Sequence, residues 1–216
     1  MRRPVFTVLL FPLFLITLFF APACRFGVNK TIYVEDGKTR NGSLNSVNGG
    51  IIIGEQCVVR GSSRSVNGRI EVGRESEVED LQTVNGKIRI ARDVKIDGDI
   101  ESVNGSIRCG AGVNVDGRIT AINGRIELDH TTVERDIHTT NGDITLEDNT
   151  KVKGDIVVEG KKGRGRGYHR LDIKISGDSV VEGRIIVKDR RRDVRVYLSN
   201  GGRVLGEVEN AEVINE

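Results

Sequence analysis

Between Asn48 and about Val158 the apolar residues follow a short period nested in a long one. After Asn104 they fall at Ile107 and Cys109, Val113 and Val115, then Ile119, and then Ile122 before Asn123. The stretch after Asn85 repeats the plan with Ile88, Ile90, Val94, Ile96, Ile100 and Val103, and the stretch after Asn48 with Ile51, Ile53, Cys57, Val59 and Val66. Alternation with period two marks a strand buried on one side. It places Glu71, Arg89, Arg108 and Glu127 on the opposite, solvent side. Each copy predicts about three short strands.

The long period is set by Asn-Gly pairs at Asn48, Asn67, Asn85, Asn104, Asn123 and Asn141, spaced 19, 18, 19, 19 and 18 residues apart. No single copy has enough apolar residues to fold alone. Stacked copies solve this, because each coil pairs its backbone with the next and the aliphatic columns merge into one narrow core. The prediction is an all-β, single-stranded parallel β-helix with 18–19 residues per coil, right-handed by the general preference of parallel crossovers. The Asn-Gly pairs are expected at a sharp corner, where both residues tolerate a left-handed backbone, with the asparagines bonding to one another up the stack. Six hairpins are the competing architecture, since Asn-Gly between apolar runs is also a hairpin signal. Two features oppose it: the Ile100 to Val103 spacing breaks the alternation of a hairpin arm, and no second regular turn motif is evident.

The ends differ from the repeat. Residues 1–23 read as a signal peptide, with basic Arg2 and Arg3, an apolar Val5 to Phe20, and small residues before Cys24. The apolar stretch contains Pro12 and falls short of the roughly 20 residues of a spanning helix. Ala21-Pro22-Ala23-Cys24 resembles a lipobox, which implies a lipidated Cys24, an exported protein on the periplasmic side of the envelope and, with Arg25 following, an outer-membrane lipoprotein. Ordinary cleavage leaving a free Cys24 is the alternative. Residues 24–45 are expected to form a tether and cap, 46–158 the regular solenoid, 159–171 a basic Gly-rich loop, and 172–216 degenerate coils and a second cap.

The SVNGxIxV repeat, the coil length and the export signal together resemble the exported β-helical proteins related to bactofilins, the polymer-forming cytoskeletal family. The resemblance covers roughly residues 41 to 158, with a weaker echo towards the C-terminus. It implies a right-handed β-helix that polymerises end to end without nucleotide. Bactofilins proper are cytosolic; export of this chain leaves the fold inference intact and speaks against a cytoskeletal role.

Composition narrows the function. Removal of residues 1–23 takes all three prolines and five of the six phenylalanines, and leaves 31 basic against 31 acidic residues. A neutral exported chain gives no general attraction to nucleic acid. Charge is unevenly placed, however: Lys161 to Arg195 holds 12 basic and 5 acidic residues. Lys161, Lys162, Arg164, Arg166 and Arg170 are the candidate contacts for anionic lipid, lipopolysaccharide or cell-wall polymer. Opposite charge at the two ends would also favour head-to-tail stacking of the chain on itself.

Catalytic chemistry finds little purchase. His130, His138 and His169 are the only histidines, and their spacing matches no zinc motif. His138 is expected to face solvent and His130 to sit at a corner. Acyltransferases built on left-handed hexapeptide helices of similar coil length need an interface histidine, for which only His138 is a candidate. Gly163 to Gly167 lacks the Gly-Lys-Ser/Thr ending of a phosphate loop. No cofactor is implied. Cys57 and Cys109 fall in different columns about three rungs apart, roughly 14 Å, beyond the reach of a disulfide, and are expected as buried free thiols. The sequence thus points to a non-catalytic structural or scaffolding protein of the envelope, with an anionic-polymer binding module as the alternative.

Overall fold

The computed structural model describes residues 25–160 and 170–216. Cys24 and the basic residues Lys161, Lys162, Arg164 and Arg166 lie outside the described residues. No helix occurs within them, so none is long and apolar enough to cross a membrane.

Three residues of strand, a corner, three more and another corner are repeated until the chain has wound about nine turns, and every pairing is parallel to the coil before and after. The strands sort into three sheets of ten, ten and nine. In one middle coil the chain passes through Ile100–Ser102 in the first sheet, Ile107–Cys109 in the second and Asn114–Val115 in the third. This is the predicted parallel β-solenoid; the hairpin architecture, which needs antiparallel neighbours, is not formed.

Register explains why the aliphatic plan repeats so strictly. Ile70, Ile88, Ile107, Ile126 and Ile144 pair directly up the second sheet. All five are fully buried. Each therefore covers the one beneath it, and a buried Ile side chain is worth about 1.5–3 kcal/mol relative to an exposed one. The first sheet stacks Leu81, Ile100, Ile119, Ile137 and Ile156 in the same way, and the third stacks Val78, Ile96, Val115, Val133 and Val152.

Three expectations are corrected. First, Val66, Val103 and Ile122 are only partly buried; the alternation of the first sheet continues unbroken, and Ser65, Ser102 and Ala121 face the core instead. The broken alternation that argued against hairpins is thus absent, although the conclusion stands on the parallel pairing. Second, no separate turn motif was expected at another corner, yet one exists. The strands Arg25–Gly27, Ile32–Val34 and Thr39–Asn41 pair as a coil ahead of the recognisable repeat, and coils continue to Glu212–Asn215. Third, the asparagines of the six Asn-Gly pairs do not have positive φ, and neither do their glycines. The left-handed conformation recurs level after level at the next corner, between the second and third sheets: Gly37, Gln56, Glu75, Asp93, Gly112, His130, Asn149, Asp178 and Gly201, with φ from 42° to 83°, while Asn29, Gly42, Gly61 and Asn210 adopt it singly at the other corners. That column is chemically mixed, which is why no repeat advertises it.

A second turn motif does exist, at the corner between the third and first sheets. Gly98, Gly117, Gly154, Gly183 and Gly206 occupy it, and aspartates beside it reach along the stack: Asp80, Asp99, Asp136 and Asp155 accept the backbone N–H of Asp99, Arg118, Asp155 and Arg184 at 2.7–3.0 Å.

Candidate functional site

The Asn-Gly corner, between the first and second sheets, is the most regular feature of the surface. Each asparagine donates its Nδ2 hydrogen to the Oδ1 of the asparagine one coil earlier, from Asn141 through Asn123, Asn104, Asn85, Asn67 and Asn48, at 2.7–2.8 Å. The row ends on Asn29, one more asparagine than the repeat announced. Asn29 escaped notice because Lys30 follows it. A glycine is needed only where a coil lies beneath: a Cβ on Gly49 would overlap the carbonyl of Lys30, and one on Gly68, Gly86, Gly105, Gly124 or Gly142 would overlap the carbonyl of the glycine or lysine column below. Close approach of backbones, not a left-handed conformation, is the reason for these glycines.

Behind the row stands a second set of groups that the sequence reading passed over. Two residues before each asparagine is Ser46, Ser65, Thr83, Ser102, Ala121 or Thr139, all turned inward and buried. Where a hydroxyl is present it satisfies the corner backbone. The N–H groups of Gly49, Gly105 and Gly142 donate to Ser46, Ser102 and Thr139 at 3.0–3.1 Å, while Ser65 and Thr83 donate to the carbonyls of Gly49 and Gly68. Their regular place before the asparagine was the available signal.

Gly160, the last described residue before the basic segment, lies at this same corner. By register from Thr139 to Val158, Gly160 stands one coil above Asn141. Of the five basic residues singled out, Arg170 alone is described; it is exposed and its Nε lies 3.2 Å from Asp172. The flanking coil repeats that local pairing, with Arg191 on Asp189 at 2.8 Å and Lys188 on Glu159 at 2.7 Å.

Histidines and cysteines fall where their columns put them. His138 faces outward on the first sheet, partly covered, with Nδ1 3.4 Å from Glu159 and Nε2 3.9 Å from Asp136. Burial and then Arg118 hold its pKa below the ordinary value in spite of those carboxylates. Glu101, on the same face, is pushed above the usual carboxylate range by burial and by Asp99 and Asp80. Thr120 separates the two, so they stand two rungs apart, roughly 10 Å, too far to exchange a proton directly. His130 is a corner residue with φ 42°. Cys57 and Cys109 are buried free thiols, and burial pushes Cys109 up to about 12, where a reactive thiolate does not form near neutrality.

The outer face of the second sheet carries a shallow furrow of about 760 Å³, floored by Ala91 and Gly110 and edged by Glu71, Arg89, Arg108 and Glu127. Its edge charges pair with each other along the column, Arg89 with Glu71 and Arg108 with Glu127, as on any solvated strand face. Among the described residues no group of three or more His, Cys, Asp or Glu side chains could hold a metal ion. Compared with known proteins, the chain matches no family model, no curated protein and no solved structure.

Proposed function

We propose that this chain is a non-catalytic structural element of the bacterial envelope, exported, held at the membrane through a lipidated Cys24, and assembled by stacking one copy on another. The observation that carries this reading is the last coil. Leu205 and Val213 stand 64% and 43% exposed there, and the strands Arg203–Val204, Val208–Glu209 and Glu212–Asn215 have no partner above them among the described residues. An edge of unpaired backbone with apolar side chains is a template for another strand. Charge supports a head-to-tail contact: the last coil carries Glu207, Glu209, Glu212 and Glu216 against Arg203, whereas the first carries Lys30, Lys38 and Arg40 against Glu35 and Asp36. Such a contact is heterologous and open-ended.

Sedimentation and electron microscopy of the purified chain test it. Expected are rods that lengthen with concentration and shorten when Leu205 and Val213 are both replaced by Lys. A monodisperse single-chain particle at high concentration overturns the assembly. Capture of an anionic envelope polymer by Lys161, Lys162, Arg164, Arg166 and Arg170 ranks second, because Arg170, Lys188 and Arg191, the described cations paired beside that segment, are already held by neighbouring carboxylates.

A further inference from the structure

The Asn-Gly row is also a row of chemically labile bonds. An asparagine side chain deamidates when the backbone nitrogen of the next residue attacks its Cγ. The new C–N bond closes a five-membered succinimide, the side-chain nitrogen leaves as ammonia carrying the proton lost from the attacking N–H, and water then opens the ring to aspartate or isoaspartate. Glycine, lacking a Cβ, offers the least hindered nitrogen. Whether the step can occur in the fold depends on whether that N–H is held elsewhere.

The coils differ in this respect. Ser46, Ser102 and Thr139 hold the N–H groups of Gly49, Gly105 and Gly142. Ser65 and Thr83 stand at the same place before Asn67 and Asn85 and donate to carbonyls of the coil below, as Ser46 also does, but neither accepts the following glycine N–H. The N–H groups of Gly68, Gly86 and Gly124 are alike without a hydrogen-bond partner among the described residues, but only before Asn123 is the residue Ala121, with no hydroxyl that could take the N–H up. Asn123 itself is exposed, so water reaches the succinimide.

We propose that Asn123 is the position of the row at which the folded chain deamidates spontaneously. The product breaks the row in one direction. An aspartate at 123 still accepts from Asn141 but can no longer donate to Asn104, and the isoaspartate form adds a backbone carbon at the point where Gly124 lies against the carbonyl of Gly105. The solenoid therefore carries a fixed weak point between the coils of Asn104 and Asn141.

The test is peptide mapping by mass spectrometry of the full folded chain, incubated at mildly alkaline pH and sampled over time. Asn200-Gly201, in an exposed turn outside the row, gives the rate of an unheld pair in the same molecule. Asn123 should convert first within the row, ahead of Asn67 and Asn85, with Asn48, Asn104 and Asn141 slowest. Ala121→Ser should slow Asn123 by about fivefold, and Ser102→Ala should quicken Asn104 by the same factor, about what one hydrogen bond of ordinary net strength is worth. In denaturant all six should convert alike. Conversion of Asn48, Asn104 or Asn141 as fast as Asn123, no conversion of Asn123 while Asn200 reacts, indifference to both substitutions, or the same ranking in denaturant would each overturn the proposal.

Discussion

Two stretches of this stack keep the same register with different corners. From Asn29 to Asn141 the corner between the first and second sheets is an unbroken row of carboxamides. Beyond it, Gly160 and Asp189 occupy that position, and the distance between paired backbones grows from 18 or 19 residues to 29. Ile144 nevertheless pairs with Ile173, and Ile156 with Ile185, as if nothing had been inserted. Stacking is thus specified by strand pairing and the aliphatic columns, and the corner tolerates long excursions because it lies outside both. The asparagine row reinforces a register that the interior already sets.

The sharpest way to break this comparison is to empty the interior. Ile126→Ala removes a fully buried column member between Ile107 and Ile144 and should cost about 3–5 kcal/mol in denaturant unfolding. Val213→Ala, in the same column but 43% exposed on the last coil, should cost less than about 0.5 kcal/mol. Equal losses would mean that the column does not act as a continuous core. Next in size is the corner backbone. Gly105→Ala drives a Cβ into the carbonyl of Gly86 and should cost about 2–3 kcal/mol, whereas the nearest atom to a Cβ on Gly160 is the Asp189 Cβ at 3.3 Å, so Gly160→Ala should stay within about 0.5 kcal/mol. A costly Gly160→Ala would show that both stretches are packed equally closely there.

The smallest effect is one of pH. His138 belongs to the regular stretch, while residues 170–216 contain no histidine. Its pKa is lowered in the fold, so the unfolded chain takes up the proton first, and the stability it contributes is complete above about 6.5 and declines as pH falls below that value. Thermal unfolding at neutral and mildly acidic pH should show His138→Gln losing less stability on acidification than the parent, by under about 1 kcal/mol. A steeper loss in the variant would reverse the assigned direction.

Sequence made the coil and its columns plain because an aliphatic residue has one acceptable side, the interior, and a stack repeats that demand at every level. It misled where polarity and orientation part company. Ser102 was passed over and Val103 assigned inward because a hydroxyl is ordinarily read as outward, yet its bond to the N–H of Gly105 lets it replace an aliphatic in the core. The left-handed corner was hidden for the opposite reason: a backbone conformation that Gln56, Glu75, Asp93 and His130 all adopt leaves no consistent residue type to see. Arg170 could be assigned to a basic segment from sequence, but its pairing with Asp172 depends on side chains meeting beside the strand Leu171–Ile175.

Every carboxamide in the row is oriented alike, nitrogen towards the earlier coil and oxygen towards the later one. The aligned amides add head to tail as peptide units do in a helix, leaving fractional negative charge on the Asn141 oxygen and fractional positive charge near Asn29. Asn141 is the level directly below Gly160, after which Lys161 and Lys162 follow in the chain. The row is therefore an electric dipole whose negative pole lies one level below Gly160, the last described residue before the most cationic stretch of the chain.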